Sequence, residues 1–391
     1  MKRNEKRFSP SICLTHDCNL NCIYCYQKHD KNHRMSLETG KKVIDWIFDN
    51  VPQGYKNVEI DFIGGEPLLE FHMIQEIIEY TLHKKIPQNI IFFATTNGTI
   101  MNSEIKDWCY KNKDIFWLGL SLDGTKETHD KNRCNSFDLI DIDFFLRTWP
   151  KQGIKMTVSE YSLSSLADDV IFLHSIGFKD IAGVNLFEGL IDWSKKEYIA
   201  TLIPQLQKLV DFYVENDNLQ LNQMFDKHLD YCEIKTRERK KWCGIGTGCV
   251  FFDVDGQKYP CAFITPMTFD KDELTHILET DFSNDDNFLD LQCFENCYIY
   301  PICPTCSAGN YLVNKTFVQR NKTKCDIMKL IALFNADLQG KRIVKKNKMV
   351  KDKRTYYTIE AIKKIRDNYL NYFSEYYQPI QLITGDQKCS Q

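Results

Sequence analysis

Short apolar runs alternate with longer amphipathic stretches through the first half of the chain. The apolar runs are rich in β-branched and aromatic residues and predict strands at residues 8–14, 58–63, 90–95, 116–122, 154–159 and 181–187. Helical spacing of apolar residues predicts helices at residues 37–48, 71–83, 103–112, 137–149, 166–176 and 198–216. This alternation indicates βα units in a parallel sheet. Six units are too few for an eight-stranded barrel, so we predict an α/β fold with a partial, TIM-like (β/α)6 barrel and its chemistry at the carboxyl ends of the strands.

The second half of the chain has a different pattern. Charge density rises at residues 233–241, and a cysteine-rich segment with short polar spacers and little periodicity follows. We expect too little apolar material there for a separate core, so that bound metal would hold the segment together. Helical spacing returns near residue 330. The sequence therefore predicts a barrel at residues 8–232, a small cysteine-rich domain at 233–330 and a helical C-terminal tail at 331–391.

Composition narrows the possible functions only a little. Of the 391 residues, 43% are hydrophobic and 26% charged, as in ordinary globular proteins. The formal net charge of −3 gives no reason to expect a nucleic-acid partner. Basic residues at the N-terminus lack the apolar run of a secretory signal, and no apolar stretch is long enough to span a membrane. We expect a cytoplasmic protein without a membrane partner.

Sixteen cysteines are the unusual feature of the composition. Three lie near residue 20, eight lie between residues 243 and 325, and the other five are scattered. Cytosolic thiols stay reduced, so clustered cysteines in such a chain indicate metal binding more often than disulfides.

The first cysteine group follows directly on the first predicted strand. Cys18, Cys22 and Cys25 are spaced so that three thiolates on one tight loop can hold three corners of a four-iron cluster. The fourth iron would then have no protein ligand and could bind a chelating molecule. A structural zinc site is the alternative, and it would need a fourth ligand, for which His16 and His29 are the local candidates.

This loop, with an aromatic residue before its third cysteine, resembles the radical S-adenosylmethionine superfamily. Further segments at successive strand ends resemble the same family: Gly64-Gly65-Glu66-Pro67, Thr96-Asn97-Gly98-Thr99, Ser121-Leu122-Asp123-Gly124 and the following Arg133. The resemblance implies that the Gly-Gly-Glu-Pro segment binds the amino group of the cofactor's methionine. It also implies cofactor contacts from Asn97 and Asp123, with Ser121 and Arg133 on the ribose and carboxylate. Tyr24 and Phe187 would flank the adenine.

The second cysteine group has eight members, enough for two closed four-iron clusters or, alternatively, for two zinc ions. Its spacing resembles the SPASM extension of radical enzymes. That likeness implies a nearer auxiliary cluster on four cysteines and a farther one on the other four: Cys243, Cys249, Cys261 and Cys306, and Cys293, Cys297, Cys303 and Cys325. Within residues 293–306 the spacing x3, x5, x2 departs from the usual x2, x5, x3. Alanine also stands at position 262, where sulfatase-maturing relatives carry an aspartate base.

The resemblance implies a radical enzyme with S-adenosylmethionine and three 4Fe–4S clusters as cofactors. A 5′-deoxyadenosyl radical generated at the Cys18/Cys22/Cys25 cluster would abstract hydrogen from a peptide or protein substrate, and no catalytic acid or base is assigned. We expect a peptide maturase that installs a thioether or carbon–carbon cross-link or a related change. Its electron donor would be a protein such as flavodoxin or ferredoxin. The alternatives are an anaerobic sulfatase-maturing, formylglycine-generating enzyme, in which Ala262 could not act as the base, and a non-catalytic zinc or iron–sulfur module.

Overall fold

Eight strands build the sheet of this protein. A computed structural model describes residues 7–84, 86–181, 183–186, 191–234, 237–346 and 352–376. Within them lie β1 (Arg7–Thr15), β2 (Asn57–Gly64), β3 (Asn89–Thr96), β4 (Phe116–Leu120), β5 (Lys155–Val158), β6 (Gly183–Leu186), β7 (Cys249–Phe252) and β8 (Lys258–Tyr259). The first six correspond to the six predicted strands.

The strands form a curved, mostly parallel sheet. One sheet has the order β4-β3-β2-β1-β7-β8, and β5 pairs with β6. A single bridge between Ser121 and Lys155 connects the end of β4 to β5, so the two sheets continue one another. All pairs from β1 to β4 and the β5–β6 pair are parallel. The α/β class and the partial (β/α)6 barrel predicted from the sequence are confirmed.

Twelve α-helices accompany the strands in the described parts of the chain. They are α1 (Leu37–Asp49), α2 (Phe71–Leu82), α3 (Ser103–Lys111), α4 (Lys126–Asn132), α5 (Ile142–Thr148), α6 (Leu166–Ser175), α7 (Lys196–Glu215), α8 (Lys271–Leu278), α9 (Leu291–Asn296), α10 (Ser307–Asn314), α11 (Cys325–Lys345) and α12 (Lys353–Tyr369). Five of the six predicted barrel helices agree within two residues at each end. The sixth is shorter than predicted, because a 3-10 turn at Phe137–Leu139 precedes α5.

Helix starts in the barrel are set by short polar side chains. Ser36 accepts a hydrogen bond from the Thr39 amide at the start of α1, and Asn102 accepts one from the Ile105 amide at the start of α3. The apolar face of α1 is buried on the sheet through Val43, Ile44 and Ile47. Sequence analysis missed α4, a helix of 7 residues whose sequence is almost entirely polar, because apolar periodicity is the signal that such a helix lacks.

The cysteine-rich segment is joined to the barrel sheet. Its strand β7 pairs in parallel with β1, opposite the edge that carries β2. Behind this junction Cys13, His16 and Asp253 are buried together, and the His16 Nε2 and Asp253 Oδ1 atoms are 2.6 Å apart. Apolar residues of the segment, such as Phe251 and Phe269, are buried in the same cluster as the barrel core. The segment thus has more apolar packing than its irregular pattern indicated.

The C-terminal tail packs on the barrel through α11. This helix begins at Cys325, earlier than the residue near 330 expected from the sequence. Asn335 donates a hydrogen bond to the Met224 carbonyl, and Arg342 donates to the carbonyl of Tyr213 in α7. No helix among the described residues combines the length and apolar character that a membrane crossing requires. The division into three domains stays a prediction.

Truncation of Leu118 tests the placement of the central strands. Leu118 in β4 is only 1% exposed, and its removal leaves a cavity between sheet and helices. We expect Leu118→Ala to lower the free energy of unfolding by about 2–5 kcal/mol, measured by urea denaturation under anaerobic conditions. The matched control is Leu139→Ala, at a side chain that is 61% exposed, which should change stability by less than about 0.5 kcal/mol.

Candidate cluster and cofactor site

A single cavity of about 280 Å³ opens where the carboxyl ends of the barrel strands meet the first cysteine loop. Most of the residues proposed from the sequence line it: Cys18, Cys22, Tyr24, Cys25, Gly64, Gly65, Glu66, Asn97, Ser121 and Arg133. They come from the β1–α1 loop and from the ends of β2, β3 and β4, with Arg133 just after α4. The parallel register brings these segments together, because it places successive strand ends at one edge of the sheet.

The two glycines after β2 allow the strand end to touch the cysteine loop. A Cβ atom on Gly65 would lie 2.3 Å from the Asp17 carbonyl oxygen and 2.8 Å from Cys18 Cβ. A Cβ on Gly64 would lie 2.7 Å from the Thr15 carbonyl oxygen. The Gly65 and Glu66 amides donate hydrogen bonds to the carbonyls of Thr15 and Asp17. The glycines are therefore needed for contact with the loop that carries the first cysteine, besides any approach to a ligand.

The Glu66 carboxylate connects the ends of β2 and β3. It is fully buried and accepts hydrogen bonds from Thr96 Oγ1 at 2.8 Å, from the Asn97 amide at 2.8 Å and from the Leu68 amide at 3.1 Å. Burial raises the pKa of Glu66 to about 7, and the three donors work in the opposite direction. Asn97 extends the connection, since its Nδ2 donates to Asn19 Oδ1 in the cysteine loop.

The Asp123 carboxylate lies behind the cavity wall and accepts hydrogen bonds from residues that form it. It has no exposed surface and accepts two hydrogen bonds from Arg133, at 2.9 and 3.2 Å. The Tyr24 hydroxyl and the Thr157 amide also donate to it. The resemblance implied a direct contact between Asp123 and the cofactor. In the structure Asp123 does not line the cavity. Its contacts position Arg133 and Tyr24, whose side chains do line the cavity.

The charge of Arg133 favours thiolates on the cysteine loop. Burial raises the pKa of Cys22 to about 11 and that of Cys18 to about 12, so both are protonated thiols when they bind no metal. Arg133 lowers the pKa of Cys22 and of Cys25. Three soft sulfur donors on one loop beside a fixed cation suit an anionic iron–sulfur cluster, because the guanidinium offsets the negative charge of the ligands.

Of the two histidines considered as a fourth ligand, one lies near the cysteines. His29 lines the cavity and its Nε2 is 3.5 Å from Cys25 Sγ. His16 instead contacts Asp253 through its Nε2 atom. Of the remaining predicted residues, Pro67 is buried at the start of a short 3-10 helix behind the cavity. Phe187 lies outside the described residues.

The farther auxiliary cysteines form one group as the resemblance implied. One cavity is lined by Cys293, Cys297, Cys303 and Cys325, together with the cationic side chains of Arg320, Lys324 and Lys329. The Lys322 ammonium donates a hydrogen bond to Cys293 Sγ at 2.8 Å. It lowers the pKa of that thiol, which burial raises. The four thiols and their cationic surroundings fit a closed cluster.

The nearer auxiliary cysteines lie between the barrel and that group. Burial raises the pKa of Cys249 to about 11 and that of Cys261 to about 12, and Cys243 contributes to both in the same direction. Cys306 precedes α10 and accepts a hydrogen bond from the Gly309 amide. The Ser307 hydroxyl, on the residue after Cys306, lies 3.9 Å from Cys243 Sγ, which brings Cys306 toward this group.

Sequence analysis missed Tyr26, which connects the two cysteine systems. Its ring stacks on Phe263 with centroids 4.7 Å apart. Its hydroxyl is buried, and Cys25, Cys261 and Cys306 all raise its pKa. The only signal in the sequence is an aromatic residue directly after the third cysteine, which does not reveal a partner more than two hundred positions away.

Gly65→Ala tests the contact between β2 and the cysteine loop. The new methyl group would overlap the Asp17 carbonyl and push Cys18 away. We expect at least a tenfold loss of 5′-deoxyadenosine formation and about four fewer irons per chain, measured after anaerobic reconstitution. Gly340→Ala is the control, since a Cβ there meets no atom within 4 Å. An unchanged iron content in Gly65→Ala would contradict this role.

His29→Ala tests whether the first cysteine site is open. If three cysteines alone hold the cluster, the variant keeps its iron and its ability to form 5′-deoxyadenosine within about threefold. Cys25→Ala, the comparison, should lose both. Loss of bound metal in His29→Ala to the same extent as in Cys25→Ala would indicate a closed four-ligand site.

Comparison with known proteins supports this interpretation of the site. Residues 10–137 match the family model described as a 4Fe-4S single cluster domain. An uncharacterized protein of Methanocaldococcus jannaschii is 29% identical over 255 residues, which cover 63% of this chain and 82% of that protein. A cysteine-type anaerobic sulfatase-maturating enzyme of Clostridium novyi is 27% identical over 327 residues, covering 73% of this chain and 84% of the enzyme.

Solved structures share the fold over most of the chain. Native anSMEcpe with bound AdoMet superposes with a TM-score of 0.63 at 18% identity, covering 92% of this chain and 99% of the other. SuiB of Streptococcus suis, bound to its precursor peptide SuiA, superposes with a TM-score of 0.55 at 18% identity, covering 81% and 75%. The cysteine loop, the strand-end segments and the two further cysteine groups, together with these likenesses, support a radical S-adenosylmethionine enzyme of the SPASM type, with S-adenosylmethionine and 4Fe–4S clusters as its cofactors.

Proposed function

We propose that this enzyme modifies a peptide by radical chemistry and installs a thioether or carbon–carbon cross-link or a related change. The observation that carries the proposal is the continuity of one cavity from the cysteine loop into the barrel interior. Cys18, Cys22 and Cys25 line the same cavity as Asp61, Thr95 and Lys155 on the barrel strands. A reactive group formed at the loop would therefore meet a substrate held inside the barrel, away from bulk water.

Two of the similar structures are of proteins that bind peptides. SuiB was solved with its precursor peptide SuiA, and anSMEcpe was solved with AdoMet and a peptide together. The first superposes over 81% of this chain and the second over 93%. This likeness supports a peptide or protein as the substrate here, and the kind of bond formed is proposed from the family resemblance.

The roles proposed for individual side chains follow from the cavity. Cys18, Cys22 and Cys25 would hold a four-iron cluster with one open iron, which would supply the electron for reductive cleavage of S-adenosylmethionine. We assign Ser121 to the ribose and Arg133 to the carboxylate of the cofactor, since both line the cavity. Arg133 is held by Asp123, so its guanidinium is oriented before the cofactor arrives. Tyr24 also lines the cavity and is assigned to the adenine.

The two further cysteine groups suit electron transfer in the second half of the reaction. Forming a cross-link removes two hydrogens from the substrate. One leaves as a hydrogen atom, and the other leaves as a proton and a separate electron. The nearer auxiliary cluster would accept that electron, and Tyr26 lies between it and the first cysteine loop. A one-electron donor such as flavodoxin or ferredoxin would reduce the first cluster.

A formylglycine-generating activity is the second candidate. It is favoured by the likeness to the sulfatase-maturating enzyme of Clostridium novyi and to anSMEcpe. It is disfavoured by Ala262, which follows Cys261 and has no group that could accept a proton. The two activities differ in substrate and product and can be separated directly.

The decisive experiment offers both kinds of substrate to the reduced enzyme. We expect a loss of two mass units in a precursor peptide encoded beside the gene, with fragment ions that locate a cross-link. A sulfatase-derived cysteine peptide should stay unchanged, whereas its conversion to formylglycine would favour the second candidate. Cys22→Ala, which removes a ligand of the first cluster, serves as the inactive control. Sustained 5′-deoxyadenosine formation with every peptide left unmodified would remove the proposal.

A further inference from the structure

A carboxyl group without a partner lies inside the reaction cavity. Asp61 is on β2, on the same face as Glu59 and Ile63, and it lines the cavity below the cysteine loop. Its Oδ1 atom is buried and makes no hydrogen bond within the described part of the chain. A buried polar atom without a partner costs folding free energy, and such atoms in native cavities are often kept for binding or catalysis.

A lysine faces the same space from the other side of the barrel. The Lys155 ammonium, on β5, donates a hydrogen bond to Thr95 Oγ1 at 2.6 Å. It lies 5.1 Å from the centre of the Phe93 ring. The ring fits there because residue 119 is glycine, where a Cβ would be 2.7 Å from Phe93 Cζ. Thr95 and Phe93 thus fix the ammonium of Lys155, a solvent-exposed side chain, at the wall of this cavity.

The charges around Asp61 leave it able to gain or lose a proton near neutrality. Burial raises its pKa to about 7, Lys155 works in the opposite direction and Glu59 raises the pKa further. Glu59 is itself paired with Arg7 on β1. The other ionisable side chains on the cavity wall, besides the cysteines and tyrosines, are Glu66, Arg133 and His29. Glu66 and Arg133 have the internal partners described above.

We infer that Asp61 is the base that accepts the proton which the substrate loses during cross-linking, and that Lys155 holds it in the ionised form. The inference rests on the proposed function. In the overall step R–H and H–X of the peptide become R–X. One hydrogen atom goes to the 5′-deoxyadenosyl radical, one electron goes to an oxidised auxiliary 4Fe–4S cluster, and one proton goes to Asp61. The C–H and X–H bonds break and the R–X bond forms, so atoms and electrons balance.

This placement of Asp61 would let the enzyme form a cross-link although alanine, and not a carboxylate base, stands at position 262. Ala262 precedes Phe263, whose ring stacks on Tyr26 of the first cysteine loop, and both belong to the cysteine-rich segment. Asp61 lies on the barrel side and has an unpaired oxygen. A substrate reaching into the barrel would meet Asp61, and the reacting group would then release its proton toward β2.

Asp61→Asn separates proton acceptance from radical formation. We expect 5′-deoxyadenosine to form at a rate within threefold of the wild type, whereas cross-linked peptide falls by about 10²-fold. Asp61→Glu should recover part of the product. Asp168→Asn is the matched control, because that carboxylate is exposed and pairs only with Lys208 among the described contacts. Equal yields of cross-link per 5′-deoxyadenosine in Asp61→Asn and wild type would overturn the inference.

The pH profile gives a readout that a purely structural role would not change. A base must be ionised, so cross-link formation in the wild type should rise with pH through about 7. Lys155→Met removes a positive charge that favours the carboxylate, so this limb should move to higher pH. Glu59→Gln removes a negative charge and should move it to lower pH. An unmoved limb in both variants would contradict the role of Asp61, whereas absence of any cross-link in the wild type would remove the proposed function instead.

Discussion

The contact between the end of β2 and the first cysteine loop is the constraint on which the rest of the site depends. The Gly65 and Glu66 amides donate to the carbonyls of Thr15 and Asp17, and the strand end passes too close to Cys18 for any side chain on Gly65. This backbone contact determines where the cysteine loop stands relative to the barrel. The strand ends that face a cofactor, and the interior that holds a substrate, are placed relative to that loop.

Polar side chains then connect the strand ends to one another across the cavity. Glu66 joins β2 to β3, and Asp123 joins the end of β4 to β5 and to Arg133. Both carboxylates accept several hydrogen bonds where water is excluded, so the loss of any one donor would leave a buried negative charge less well compensated. These networks fix side chains before a ligand arrives, which is the form of preorganisation that radical chemistry needs. Asp61 differs from both because it has no such partner.

The cysteine-rich segment is continuous with the barrel. Strand β7 extends the barrel sheet next to β1, and the His16–Asp253 contact lies directly behind the cysteine loop. Tyr26 and Phe263 form a second contact on the cavity side. The first cysteine loop is therefore held on two sides by the segment that carries the auxiliary cysteines.

Local patterns along the chain were enough to place most elements of the barrel and to single out the first cysteine loop as a candidate metal site. Apolar alternation placed β1 to β6 and five of the barrel helices within a few residues, since burial on a sheet or helix face repeats with a fixed period. The spacing of Cys18, Cys22 and Cys25 indicated three corners of a cluster because those residues are close together on one loop. Tertiary structure alone decided that Asp123 lies behind the cavity, that β7 pairs with β1, that Tyr26 meets Phe263 and that Asp61 faces Lys155. Each of these contacts joins residues from different elements. The hydrophobic periodicity of one element does not indicate which distant elements it will contact when the sheet curves.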